Sequence, residues 1–123
     1  MIKGIGVDIV EIQRIKEAVE KHGDGFLERV YTAKEINYCK SQKAWRYPEL
    51  AVRFAAKEAY SKAVGTGITG FARNNRGMHW KAIEVRNNSR GKPQIYLKGK
   101  PVPEVQVSLS HCRDFAVAMV VIG

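Results

Sequence analysis

An α+β fold, one domain over residues 1–123, is predicted by three observations on this sequence. Helical periodicity is confined to residues 11–64. Alternating or continuous apolar runs, parted by Gly, Asn and Pro turn chemistry, fill the chain from residue 80 onward. A single Ile- and Val-rich segment precedes both. Such an order gives a leading strand, then helices, then hairpin-linked and mainly antiparallel strands. The length of 123 residues suits one core, and 45% hydrophobic with 27% charged residues is ordinary for a packed domain.

Taken in order, residues 2–10 read as a strand in which Gly4 and Gly6 bring the backbone close to a neighbour. Across residues 11–22, Ile12, Ile15, Ala18 and Val19 recur at helical spacing, and Gly23 and Gly25 end that helix. Thr32 followed by Glu35 is a capping box, which predicts a short helix over 33–40. Pro48 suits the first turn of a longer helix sustained by Ala51, Phe54, Ala55, Ala59, Ala63 and Val64, stopping at Gly65-Thr66-Gly67. A loop with Gly70, Asn74, Asn75 and Gly77 leads to strands expected over 80–85 and 94–98, with turn residues over 87–93 between them. Val105, Val107 and Leu109 alternate, and after a turn at Cys112-Arg113-Asp114 the run 115–122 is apolar on both faces, as a central strand is.

The charge narrows the class of partner. Twenty-one Lys and Arg against twelve Asp and Glu leave a formal +9. A field of that sign attracts polyanions: nucleic acid, anionic lipid, nucleotide phosphates or an acidic protein. No apolar run approaches the ~18 residues a membrane span needs, so a membrane is not among the expected partners. Cys39 and Cys112 lie far apart without metal-ligand spacing, which suits free thiols in a reducing cytoplasm.

Three places carry potential chemistry. On the long helix, Glu58, Lys62 and Gly65 fall at i, i+4 and i+7 and share a stripe, with Lys57 beside it. The lysines suit phosphate and Glu58 a divalent cation, although the same spacing also describes a surface pair worth roughly 0.3–0.5 kcal/mol. Asp8 sits late in an apolar strand, where an unpartnered carboxylate costs several kcal/mol. It calls for a metal, a basic partner or a strand-end cap. His111 closes the run Ser108-Leu109-Ser110-His111, where it can face a phosphate, move a proton or bond nearby backbone. No P-loop, Gly-x-Gly-x-x-Gly turn or Gly-x-Ser-x-Gly elbow is present.

Together these segments resemble the small bacterial class of 4'-phosphopantetheinyl transferases, the holo-[acyl-carrier-protein] synthase family. Gly4-Ile5-Gly6-Val7-Asp8-Ile9-Val10-Glu11 is similar to its opening signature, and Arg53-Phe54-Ala55-Ala56-Lys57-Glu58-Ala59-Tyr60-Ser61-Lys62-Ala63-Val64-Gly65-Thr66-Gly67-Ile68 to its second. Val107-Ser108-Leu109-Ser110-His111 before an apolar last strand is similar to its third. The resemblance implies the phosphopantetheinyl transferase fold and Mg2+-dependent transfer of the phosphopantetheine arm of coenzyme A to a serine of an apo acyl carrier protein. It implies a role in fatty acid biosynthesis and a homotrimer with the site between protomers.

The resemblance also assigns residues. Asp8 and Glu58 match its magnesium carboxylates, and Asp8, Glu58 and Lys62 its catalytic set. Arg53, Lys57, Ser61, Lys62, Gly65, Thr66, Lys92, Pro93, Ser110 and His111 match positions around coenzyme A. Arg14 and Lys21 on the first helix match the surface that docks the carrier. Val10 stands where the larger, two-lobed transferases carry a third acidic residue, and residues 69–79 are longer and more basic than the family pattern. An acidic carrier accounts for a +9 synthase through electrostatic steering. A basic nucleic-acid-binding domain is the competing reading, but it leaves Asp8, Glu58 and the glycine cap unexplained, and a non-catalytic trimer is a third; no specific nucleic-acid partner is expected.

Overall fold

The computed structural model describes all residues except 66–67 and 70–77, and for 68, 69 and 78 the backbone alone. The elements are β1 (Gly4–Glu11), α1 (Ile12–His22), α2 (Asp24–Val30), α3 (Ala33–Cys39) and α4 (Tyr47–Val64), then β2 (Ile68–Thr69) and β3 (Met78–His79). A 3-10 turn (Trp80–Ala82), β4 (Ile83–Asn87), β5 (Pro93–Leu97), β6 (Lys100–Pro101), β7 (Val105–His111) and β8 (Phe115–Ile122) complete the chain. Two antiparallel three-stranded sheets form, ordered β1-β8-β7 and β4-β5-β6, while β2 and β3 pair in parallel. The α+β expectation holds, with β8 at the centre of its sheet.

Helix α4 organises the molecule. Pro48 sits in its first turn and Gly65 caps its end at φ 90°, a left-handed conformation open to glycine. Its faces are buried nearly all round: Leu50, Ala51 and Val52 join α1, α2 and α3 in one core, while Ala55, Ala56, Ala59 and Tyr60 join both sheets in a second. The capping box at Thr32 forms as expected, with the hydroxyl accepting from Glu35 N–H and the Glu35 carboxylate accepting from Thr32 N–H at 3.0 Å. Both thiols are free, Cys39 buried and Cys112 exposed, and burial pushes the Cys39 thiol up to about 11.

Two elements differ from expectation. Gly23 does end α1, but Gly25 lies inside a further helix, α2, which buries Leu27 and Val30. The segment 80–85 is not a strand throughout. Its first three residues turn as a 3-10 helix that tucks Trp80 inside, stacked on Phe54 at 4.6 Å between ring centroids, and the strand starts at Ile83. The loop expected over 70–77, with Arg73 and Arg76, lies outside the described residues.

The outer face of the β1-β8-β7 sheet is apolar and uncovered. Ile5, Val7 and Ile9 are 62%, 56% and 65% exposed, beside Met119 and Phe115 at 43% each. In register, Val7 stands opposite Met119 and Ile9 opposite Val117. A strand apolar on both faces has one face on α4 and the other open.

Candidate active site

Alternation along β1 turns Gly6, Asp8 and Val10 toward α4, and helical spacing on α4 turns Glu58 and Lys62 toward β1. The Lys62 ammonium donates to Asp8 Oδ1 at 2.9 Å and to the Val7 carbonyl at 3.2 Å. Burial, and next the Asp8 charge, raise the Glu58 carboxyl above its usual range, against a smaller pull from Lys62. Two carboxylates and one ammonium therefore meet where strand and helix cross. Asp8 and Glu58 line a cleft of about 480 Å³, with Glu11, Arg14, Ile15, Phe26, Phe54 and Phe115 among its other walls. Arg14 is exposed at its rim on α1, as is Lys21 farther along that helix.

The pair fits a hard divalent cation. Burial and then the Asp8 charge raise the proton affinity of Glu58, a cost that a cation would offset, and both carboxylates stand beside open space for further oxygens. Among the described residues no third His, Cys, Asp or Glu joins them. The remaining coordination positions would fall to phosphate oxygens and water, as magnesium prefers.

A second cleft, of about 460 Å³, is lined by Ser110 and His111 at the end of β7, with Pro93, Asn87, Gly91, Glu49 and Tyr38. His111, Ser110 and Pro93 thus lie together, while Lys92 is exposed next to Pro93 and lines a smaller groove. Gly65 is exposed at the end of α4, and Thr66 lies outside the described residues.

Three of the expected coenzyme A residues lie buried in the core. Lys57 is fully buried, and its ammonium gives all three hydrogens to protein oxygens: Glu35 Oε1 at 2.6 Å, the Val30 carbonyl at 2.8 Å and the Trp80 carbonyl at 3.0 Å. No donor remains for a phosphate. Burial lowers the Lys57 proton affinity, and Glu35 offsets that only in part. Arg53, 1% exposed, backs the second cleft without opening onto it; it donates to Glu49 Oε2 at 2.7 Å and Asn87 Oδ1 at 2.6 Å and packs on the Tyr38 ring. The Ser61 hydroxyl is turned inward and donates to the Glu58 carbonyl at 2.7 Å. A helix buried nearly all round turns sequence neighbours of a site into core, a fact that spacing along one stripe does not carry.

Sequence reasoning missed Glu35, Phe26 and Phe54. Glu35 was seen only as a cap, yet one carboxylate also takes the Lys57 ammonium and the Val85 N–H at 2.9 Å. Phe26 went unseen with α2, although Leu27 and Val30 at i and i+3 and Asp24 in the first turn were its signals.

A family model described as the 4'-phosphopantetheinyl transferase superfamily matches residues 4–120. The chain belongs to that superfamily. Membership puts Asp8, Glu58 and both clefts inside the matched span. The chain is 45% identical to a holo-[acyl-carrier-protein] synthase of Halothermothrix orenii, over 98% of this chain and 97% of that one. Among solved structures of the superfamily's synthases, one from Bacillus anthracis in complex with CoA (3',5'-ADP) is 46% identical with a TM-score of 0.79, covering 99% of this chain and 96% of that one. Another, from Helicobacter pylori in complex with coenzyme A, is 31% identical with a TM-score of 0.79, covering 97% and 99%.

Proposed function

We propose that this chain, as one transferase domain over residues 1–123, moves the 4'-phosphopantetheine group of coenzyme A onto a serine of an apo acyl carrier protein, in support of fatty acid biosynthesis. The observation that carries the reading is the meeting of Asp8, Glu58 and Lys62 at the head of a cleft rimmed by a cation, in a chain whose relatives are named synthases of that kind. Oxygen of the serine attacks the phosphorus on the pantetheine side of the pyrophosphate. The bond to the bridging oxygen breaks, and adenosine 3',5'-bisphosphate leaves. Asp8 and Glu58 would hold Mg2+, which supplies charge neutralisation at the pyrophosphate. Lys62, exposed and within reach of the same point, neutralises phosphate oxygens as a point charge. The serine proton would pass to Glu58 or to a water on the metal. His111, Ser110 and Pro93 form the nucleotide end of the site.

The carrier docks on α1. Among the described residues no helix is long and apolar enough to cross a membrane, and +9 of formal charge favours an acidic protein partner in the cytoplasm. With coenzyme A saturating, Arg14→Glu should raise the KM for the carrier at least tenfold and leave the KM for coenzyme A unchanged. Rising salt should shrink that difference, because the Debye length falls from ~10 Å at 0.1 M to ~3 Å at 1 M. An unchanged carrier KM would move the docking surface elsewhere, and tight oligonucleotide binding without carrier modification would favour the nucleic-acid reading.

The uncovered apolar sheet face supports a ring of three chains, in which His111 and Ser110 of one protomer meet Asp8 and Glu58 of the next. Light scattering at assay concentration should give three chains per particle. Val7→Lys, a charge placed in that face, should give monomers without activity. A fully active monomer would show the site to be complete in one chain.

A further inference from the structure

We infer that Gly6, with Gly4 behind it, is a positioning residue for the carboxylate pair: lacking a Cβ where β1 crosses α4, it lets the strand lie on the helix backbone and so brings Asp8 to Glu58 and Lys62. The inference rests on the reading of Asp8 and Glu58 as cation ligands.

Gly4, Gly6 and Asp8 alternate onto the same face of β1, and Gly6 is buried against α4. A Cβ on Gly6 would overlap the carbonyl oxygen of Ala59 and come within 2.9 Å of the Ala63 nitrogen. One on Gly4 would overlap the Ala63 carbonyl oxygen and lie 3.2 Å from its carbon. These obstacles are helix backbone, which cannot rotate aside as a side chain would, so the strand would have to move outward. Neither glycine has a positive φ; Gly23, Gly65, Gly91 and Gly99 do. Glycine therefore stands at positions 4 and 6 for space, not for backbone conformation.

The spacing is read directly at the site. Asp8 follows Gly6 by one strand repeat of about 6.7 Å. Glu58 and Lys62 lie one helical turn apart and straddle Ala59, the residue whose carbonyl Gly6 covers. The Lys62 ammonium touches both the Val7 carbonyl and the Asp8 carboxylate, so strand backbone and carboxylate move together relative to α4. Aspartate reaches because the strand is close. A strand held off by a Cβ would need the longer glutamate to span the same gap.

The test is Mn2+ binding, followed by the loss of the free-ion EPR signal in the full-length protein without substrates. Gly6→Ala should bind Mn2+ at least tenfold more weakly, and in the assay should need correspondingly more Mg2+ with little change in the KM for coenzyme A. Gly6→Ala with Asp8→Glu should recover most of that affinity, whereas Asp8→Glu alone should lose it, since its carboxylate overshoots. A merely structural glycine would give no such rescue. Unchanged Mn2+ affinity in Gly6→Ala overturns the inference. Should Gly6→Ala not fold, wild-type affinity in Asp8→Glu overturns it equally. Mn2+ binding that survives Asp8→Asn would instead defeat the metal reading itself, and this inference with it.

Discussion

Asp8→Asn and Glu58→Gln should each lower transfer by about 100-fold or more at saturating Mg2+, with melting temperatures near that of the parent. Each change keeps shape and removes one of the two charges a cation needs. Stability should not follow activity. The Asp8–Lys62 pair is exposed on the lysine side, 53% by side chain, and such pairs contribute little. For Glu58 the sign is opposite to that of a stabilising carboxylate. Its folded pKa is raised, so its contribution is fully present below the unfolded value and is lost as pH rises through the folded value. At neutral pH the ionised group opposes folding, and Glu58→Gln should hold or slightly raise the melting temperature. If Glu58 and Lys62 were only a surface i,i+4 pair, the effect would be roughly 0.3–0.5 kcal/mol of stability and nothing in turnover. Near-normal activity in either variant would return the site to that reading.

Glu35→Ala should destabilise the fold by roughly 3–5 kcal/mol, because it strands a buried ammonium. Lys57 would keep two carbonyl partners and lose the carboxylate that accepts from it. The N–H groups of Val85 and Thr32 would lose their acceptor in the same step. Against a total stability of about 5–15 kcal/mol, this is a large fraction, and urea unfolding will read it as a shifted midpoint. Replacing the pair together, Glu35→Leu with Lys57→Met, should cost much less than the sum of the single changes, since the two groups are coupled. A loss below about 1 kcal/mol in Glu35→Ala would mean that water reaches Lys57, and Lys57 would again be open to a phosphate.

The parts of this molecule that were legible from sequence are those fixed by local chemistry. Thr32 and Glu35 announce their helix because each satisfies the other's backbone N–H, and Pro48 and Gly65 bound α4 for reasons of backbone geometry alone. Asp8 stood out because an apolar strand does not tolerate a lone carboxylate, and the structure gives it Lys62. Position along α4, by contrast, does not reveal that Lys57, Arg53 and Ser61 are buried. Which faces of a helix are covered depends on how many layers pack around it, a tertiary fact. The two-sided apolar pattern of β8 carried a similar ambiguity, for it reads alike whether a helix or another copy covers the second face. Gly25 was read as a breaker because glycine usually is one, but burial of Leu27 and Val30 outweighs its helix penalty of about 1 kcal/mol.

The central claim is that this chain transfers phosphopantetheine, and the intact mass of an apo acyl carrier protein tests it most directly. Incubated with this protein, coenzyme A and Mg2+, the carrier should gain the mass of one phosphopantetheine group on one serine, with adenosine 3',5'-bisphosphate released in equal amount. The gain should vanish in Asp8→Asn. A carrier that keeps its apo mass under those conditions, across carriers of several sources, would contradict the account.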